Sequence, residues 1–134
     1  KRHLARGHSM NNRVFLTIHS VIYAAFAIAL FVIPAQLWPL YGVSVNDQYA
    51  YFLSQHNSIF LGGLAILSYL FRDVETGSQT AQKLLRGLMW TNALGLIITL
   101  YACLTAVFTG FGWSDPAFFA LLAGLSFLQL KKNR

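Results

Sequence analysis

The stretch YAYFLSQHNSIFLGGLAILSYLF, residues 49–71, is long enough to cross a bilayer, yet it carries Gln55, His56, Asn57 and Ser58 partway along. About 20 apolar residues in a helix span the roughly 30 Å hydrocarbon core of a membrane. Polar side chains at that depth face protein, water or a ligand rather than lipid tails. The other spans are arranged around this one.

Upstream, residues 14–33 form a first apolar run that opens after Arg13 and stops at Pro34, whose ring breaks the helical hydrogen-bond ladder. The run is too long for a signal peptide and lacks a small-residue cleavage pattern, so it is expected to remain as a span. Downstream, residues 85–108 and 115–130 supply a third and a fourth, the last one short unless it extends back towards Trp113. The expectation is an all-α integral membrane four-helix bundle forming one domain over residues 10–134. Residues 1–9, KRHLARGHS, read as an expression-tag remnant ahead of Met10.

Composition agrees: 56% of the residues are hydrophobic and 10% charged, against about 25% charged in an ordinary soluble domain. The net charge of +6 does not point to nucleic acid, because the cations sit at the ends of apolar runs. Arg72, Lys83 and Arg86 cluster in the middle loop, and Lys131, Lys132 and Arg134 close the tail. The loop PAQLWPLYGVSVNDQ and the loop TGFGWSDP contain no Lys or Arg. The positive-inside bias then puts both termini in the cytoplasm. The Lys-Lys-Asn-Arg tail also matches a di-lysine retrieval signal, an address as readily matched by an anchoring tail. Trp38, Tyr41, Leu37 and Leu40 are expected along the membrane interface, where amphipathic rings settle.

Helices associate in lipid through close packing, so small residues four apart mark contacts. Ser54, Ser58 and Gly62 form one such ridge on the second span; Gly87, Thr91, Gly95, Thr99 and Cys103 form a longer one on the third. A weaker pair, Ala120 and Gly124, occurs on the fourth. The short loop between spans two and three predicts an antiparallel hairpin closed along the two main ridges.

Six polar residues are candidates for ligand binding. His56 lies roughly 160° around its helix from the Ser54 ridge, beside Phe52 and Phe60, and Gln55 and Asn57 flank it. It needs cover from a neighbouring helix, a second protomer or a bound amphiphile, because an unsatisfied polar group in hydrocarbon costs several kcal/mol. His19 lies about 9 Å into the first span from Arg13, and Asn92 reaches a similar depth on the third, counting 1.5 Å per residue. The two are placed to hydrogen-bond as helix glue, with Tyr23 on the His19 face extending a polar track.

Several chemistries are disfavoured. His19 and His56 are separated by roughly 15 Å along the bundle axis, too far to ligate one haem iron. The acids Asp47, Asp73, Glu75 and Asp115 all fall in loops, which removes the embedded carboxylate of small proton-coupled exporters. No metal-ligand spacing is present, no acidic group orients His56 for catalysis by Ser54 or Ser58, and the single cysteine, Cys103, rules out an internal disulfide. Gln55-His56-Asn57 is similar to the second-span polar motif of membrane-associated glutathione and eicosanoid enzymes. Those proteins surround it with cations, which this chain does not.

A first span ending in proline, Leu-Tyr-Gly-Val leading to SQHNSIFLGGLAIL, a basic middle loop and a third span with an asparagine together resemble the small four-helix bacterial membrane proteins of the DoxX-like set. Where those proteins often carry an arginine near the start of the second span, this chain has Gln55-His56. The resemblance implies the fold and a bacterial inner membrane. The function expected is that of a binding or accessory protein, partnered by the lipid bilayer and taking a lipid-like or amphipathic small molecule or a partner helix at the His56 face. A homo-oligomer with His56 at its interface, and a membrane enzyme or redox-associated protein using an intramembrane histidine as proton carrier, are the alternatives. The sequence names no cofactor.

Overall fold

Three of the four long helices begin on a side chain that accepts from the first exposed backbone N–H groups. Asn11 caps α1 (Asn12–Val32) through Val14 N–H at 2.8 Å. Asp47 caps α3 (Gln48–Leu70) through Ala50 N–H at 2.8 Å, and Ser78 caps α4 (Gln79–Leu104) through Ala81 N–H at 3.1 Å. α5 (Ser114–Lys131) instead grows from a 3-10 turn, Gly110–Trp113. A short α2 (Pro34–Leu37) and a 3-10 turn, Trp38–Tyr41, follow α1. The computed structural model describes residues 10–134, and among them there is no strand. The presumed tag remnant, residues 1–9, lies outside the described residues.

α1, α4 and the segment Gly110–Lys131 are each long and apolar enough to cross a membrane. α3 matches them in length and contains no charged residue, but Gln55, His56 and Asn57 dilute its apolar character below that of the others. The distribution of side chains is inverted relative to a water-soluble core. Val21, Ile28, Ile66, Leu94, Ile97 and Leu121 are all exposed, whereas His19, Asn92, Ser126 and Asn133 are almost completely buried. Exposed apolar and buried polar groups suit a solvent of hydrocarbon.

α4 begins earlier than the apolar pattern indicates, because the polar residues after Ser78 form its first turns and carry Lys83 and Arg86 into the helix. It also ends sooner. Ala106 turns into the left-handed region at φ 64°, and Val107 N–H reaches back to Ala102 O at 2.8 Å, closing the helix as a glycine usually does.

Helix pairing departs from expectation. α3 lies along α1 and α4 along α5, while α3 and α4 remain apart. The small residues are spent on these other partners: Ser54 Oγ donates to Leu30 O at 2.9 Å on α1, and Gly62 sits opposite Ala27. On α4, Gly95 receives the ring of Phe119, where an added Cβ would approach to 2.6 Å. Ser58 bonds within its own helix, as does Thr91, and Gly87 is exposed. Between α3 and α4 there is an open groove lined by Leu64, Ser68, Gly87 and Thr91. A short connection fixes that two helices are neighbours in sequence; side-chain fit decides which surfaces close.

Two fastenings hold the ends. At the aromatic end, Thr109 N–H donates to Tyr41 O at 2.9 Å, joining the loops of the two hairpins. Gly42 permits this approach, since its φ is 83° and a Cβ there would fall 2.0 Å from Thr109 Oγ1. Tyr41, Cys103 and Phe108 pack beneath, with the Tyr41 and Phe108 rings edge-on at 5.3 Å.

At the basic end a knot of amides joins α1, α5 and the turn before α4. Asn12 Nδ2 donates to Asn133 Oδ1 at 2.9 Å, and Gln129 Nε2 to Asn12 Oδ1 at 2.9 Å. Asn133 Oδ1 also accepts from Gly77 N–H at 2.8 Å, and Gln82 Nε2 donates to Asn133 O at 2.9 Å. Asn133→Ala strands the buried Asn12 amide, which loses both an acceptor and a donor, and frees the part-buried Gly77 N–H, so it should lower unfolding stability by about 2–3 kcal/mol. Thermal unfolding in detergent measures this, and a loss below about 0.5 kcal/mol would show the knot to be dispensable.

Candidate functional site

The six polar candidates separate into two groups. His19, Tyr23 and Asn92 come together inside the bundle; Gln55, His56 and Asn57 stay on α3, away from them.

In the inner group Asn92 is the hub. Its Nδ2 donates to Leu88 O, one turn back on α4, at 3.0 Å, and lies 3.0 Å from His19 Nε2. Its Oδ1 accepts from the Tyr23 hydroxyl at 2.5 Å. With the amide donating, Nε2 must be the acceptor, so the imidazole is neutral and carries its proton on Nδ1. That Nδ1 is buried without a partner. His19 is sandwiched between rings, stacked on Tyr23 at 4.5 Å and tilted against Phe15 at 5.7 Å. The Nε2 lone pair a general base would use is already engaged. This arrangement ties α1 to α4 through side chains.

On α3, Gln55 is half-buried and its Nε2 donates to Phe31 O at 3.1 Å, tying α3 to the end of α1. His56 and Asn57 are exposed. Of the three covers expected for His56, a neighbouring helix is not seen among the described residues, since α4 pairs with α5; a second protomer and a bound amphiphile remain. Phe52 and Phe60, themselves exposed, flank the imidazole with ring centroids at 5.7 and 5.5 Å.

The concave site lies elsewhere. A cavity of about 150 Å³ opens beside the inner group, at the aromatic end. Tyr23, Phe26 and Leu30 of α1 form one wall and Leu61 of α3 another. Leu37, Trp38 and Tyr41 cover it from the loop, while Phe118, Phe119 and Asp115 approach from α5. The Trp38 indole N–H donates to Ser54 Oγ at 2.9 Å, which pins the cover to α3. Asp115, in the first turn of α5, faces the Tyr41 hydroxyl.

No family model, curated protein or solved structure matches this chain. The site therefore has to be read from its own geometry. Among the described residues no three His, Cys, Asp or Glu side chains converge on a point. An apolar void of this size admits a molecule about as large as benzene.

Sequence reasoning placed Tyr23, but not the cavity above it. Trp38 and Tyr41 carried an aromatic signal and were assigned to the interface. Asp115 read as a loop acid, and Leu61 and Phe118 carried no signal beyond apolar periodicity. The residues come from four separate segments, so no spacing rule could assemble them.

Burial raises the Tyr41 pKa above its ordinary value of 10, with the Asp115 charge and hydrogen bond adding to the effect. The folded protein then holds this proton where the unfolded chain releases it. The associated stability is intact below about pH 10 and falls as pH rises above it. Tyrosinate absorbance should show wild type and Tyr41→Phe titrating alike between pH 10 and 11; a tyrosine missing from the variant's titration there would contradict the burial. In the inner group, Asn92→Ala should cost about 2–3 kcal/mol by leaving His19 Nε2 and the Tyr23 hydroxyl without their partner, and Tyr23→Phe only about 1 kcal/mol. Equal losses in thermal unfolding would mean that Asn92 is not the hub.

Proposed function

We propose that this chain is a four-span protein of the bacterial inner membrane, with both termini cytoplasmic, that binds a small apolar or amphipathic molecule in its aromatic cavity. One observation carries the reading: a void lined almost wholly by rings and aliphatic side chains, closed by a folded-back loop, with a carboxyl at one edge and the Tyr23 hydroxyl at another. Ligand sites have this composition, a largely apolar wall with a few placed polar groups.

The four-span topology is supported by the length of α3 and its pairing with α1. Gathering of the described Lys and Arg side chains at one end of the bundle supports the orientation. The same features agree with the DoxX-like resemblance. A binding or accessory role suits the inner group better than catalysis, since the His19 acceptor is occupied and no nucleophile stands beside it. The ligand-binding role expected at Gln55, His56 and Asn57 passes in this reading to the cavity, with Tyr23 its one candidate retained.

A second reading concerns the His56 face. An exposed imidazole between two exposed phenylalanines, on a helix otherwise bathed in lipid, favours a homo-oligomer closed there.

Native mass spectrometry of gently extracted protein tests both. Wild type should retain a small molecule that Leu61→Trp, whose indole fills the void, loses and His56→Ala keeps. Retention by Leu61→Trp would remove the cavity as the site. An oligomer present in wild type and dissociated in His56→Ala would establish the second reading, and a monomer in both would end it.

A further inference from the structure

Among the described residues, Asp115 has no cationic counterpart. It is half-buried in the first turn of α5 and lines the cavity with Tyr41. From Met10 onward the cations are Arg13, Arg72, Lys83, Arg86, Lys131, Lys132 and Arg134, all at the opposite end of the bundle. Residues 33–47 and 105–113, which form the loops at the cavity end, contain no Lys or Arg. The Tyr41 hydroxyl gives a carboxylate there partial compensation, whereas at the start of α5 the Ser114 N–H is already bonded to Phe111 O and Pro116 carries no N–H. The hydroxyl supplies no positive charge.

The neighbouring side chains are those that favour a cation. Trp38, Tyr41, Phe26 and Phe118 line the same void, and aromatic rings attract an ammonium group through their quadrupoles, most strongly where water is excluded. A neutral ligand would use the apolar walls and leave the carboxylate partly desolvated, with the Tyr41 hydroxyl as its side-chain partner and no positive charge beside it. An anion would be repelled by it. Only a ligand that brings its own positive charge satisfies the rings and the carboxylate together.

We propose that the cavity takes a lipophilic amine, with an apolar body about one ring in size between Tyr23 and Leu61 and a protonated or quaternary nitrogen beside Asp115. The inference rests on the cavity being a binding site, and adds the charge and chemical class of what enters it. The nitrogen would sit at the aromatic end, under Trp38 and Tyr41, and the apolar body would point towards the Asn92 group.

The test uses the full chain in lipid nanodiscs, with equilibrium dialysis against 2-phenylethylamine, 2-phenylethanol and 3-phenylpropionate. Protein-free nanodiscs correct for partitioning into lipid. The amine should bind about tenfold more tightly than the alcohol, and Asp115→Asn should bring the two within about twofold of each other. The propionate should bind least. Equal binding of amine and alcohol to wild type, or a preference that survives Asp115→Asn, would overturn the amine assignment while leaving the cavity a binding site. Failure of all three to bind would overturn both readings. Should Asp115→Asn not accumulate as folded protein, the ranking of amine and alcohol on wild type decides alone.

Discussion

A buried carboxamide cannot be left with idle donors and acceptors in hydrocarbon, and Asn92 is the group on which that constraint falls hardest. It satisfies itself with one bond inside α4 and two to α1, through His19 and Tyr23. Those bonds fix the rotation of α1 about its axis. With His19 and Tyr23 turned to α4, Phe15 and Leu16 on the same face must meet Leu85, Leu88 and Leu130, which they do. An adjacent flank of α1, carrying Ser20, Ala24 and Ala27, is then left for α3, while the opposite side, with Val21 and Ile28, is exposed. The α1–α3 and α4–α5 pairs, each packed closely, are thereby joined through side chains rather than by near approach of their backbones.

The same rotation sets the cavity. Tyr23 is shared between the hydrogen-bonded group and the void above it, so the position of its ring is determined from below. From above, the loop after α1 folds back under a proline, a 3-10 turn and a left-handed glycine, bringing Trp38 and Tyr41 over the opening. Lipid-facing helices would by themselves leave a gap between Phe26, Leu61 and Phe118. The loop roofs the gap and makes it a partly enclosed cavity.

Long elements were legible in the sequence because hydropathy, proline and capping residues act locally. The apolar runs gave all four long helices, and Pro34 marked the end of α1. Polar depth counted along the helices placed His19 beside Asn92. Partner choice was not legible in this way. The small residues of α3 and α4 were read correctly as contact surfaces in several cases, yet a ridge does not name what fills it, and Gly62 and Gly95 went to α1 and α5. His56 looked like a centre because it is polar and embedded in an apolar run; which way it faced depended on the pairing. Asn12 and Asn133, whose contact ties the two ends of the bundle sequence, are polar residues beside apolar helices, and nothing local distinguishes them from solvated ones. The cavity is the extreme case, since each lining residue has an ordinary explanation in its own segment.

Both fastenings leave α3 out. The amide knot unites α1, α5 and the turn before α4, and the loop bond at the other end joins the segment after α1 to the segment before α5. α3 is held by its fit to α1, by the bonds of Ser54 and Gln55 to α1 and to Trp38, and by Leu61, Leu64 and Ala65, which share a cluster with Phe118, Phe119 and Leu122 of α5. In mechanical terms the protein is a three-helix frame with a fourth helix hung as a door on α1, its free edge towards the groove beside α4. Because Leu61 belongs to the door, swinging it aside would break the Trp38–Ser54 bond and open the cavity sideways, while both fastenings stay in place. In the proposed reading, a guest would then arrive from the lipid phase, where a small oily molecule is most concentrated.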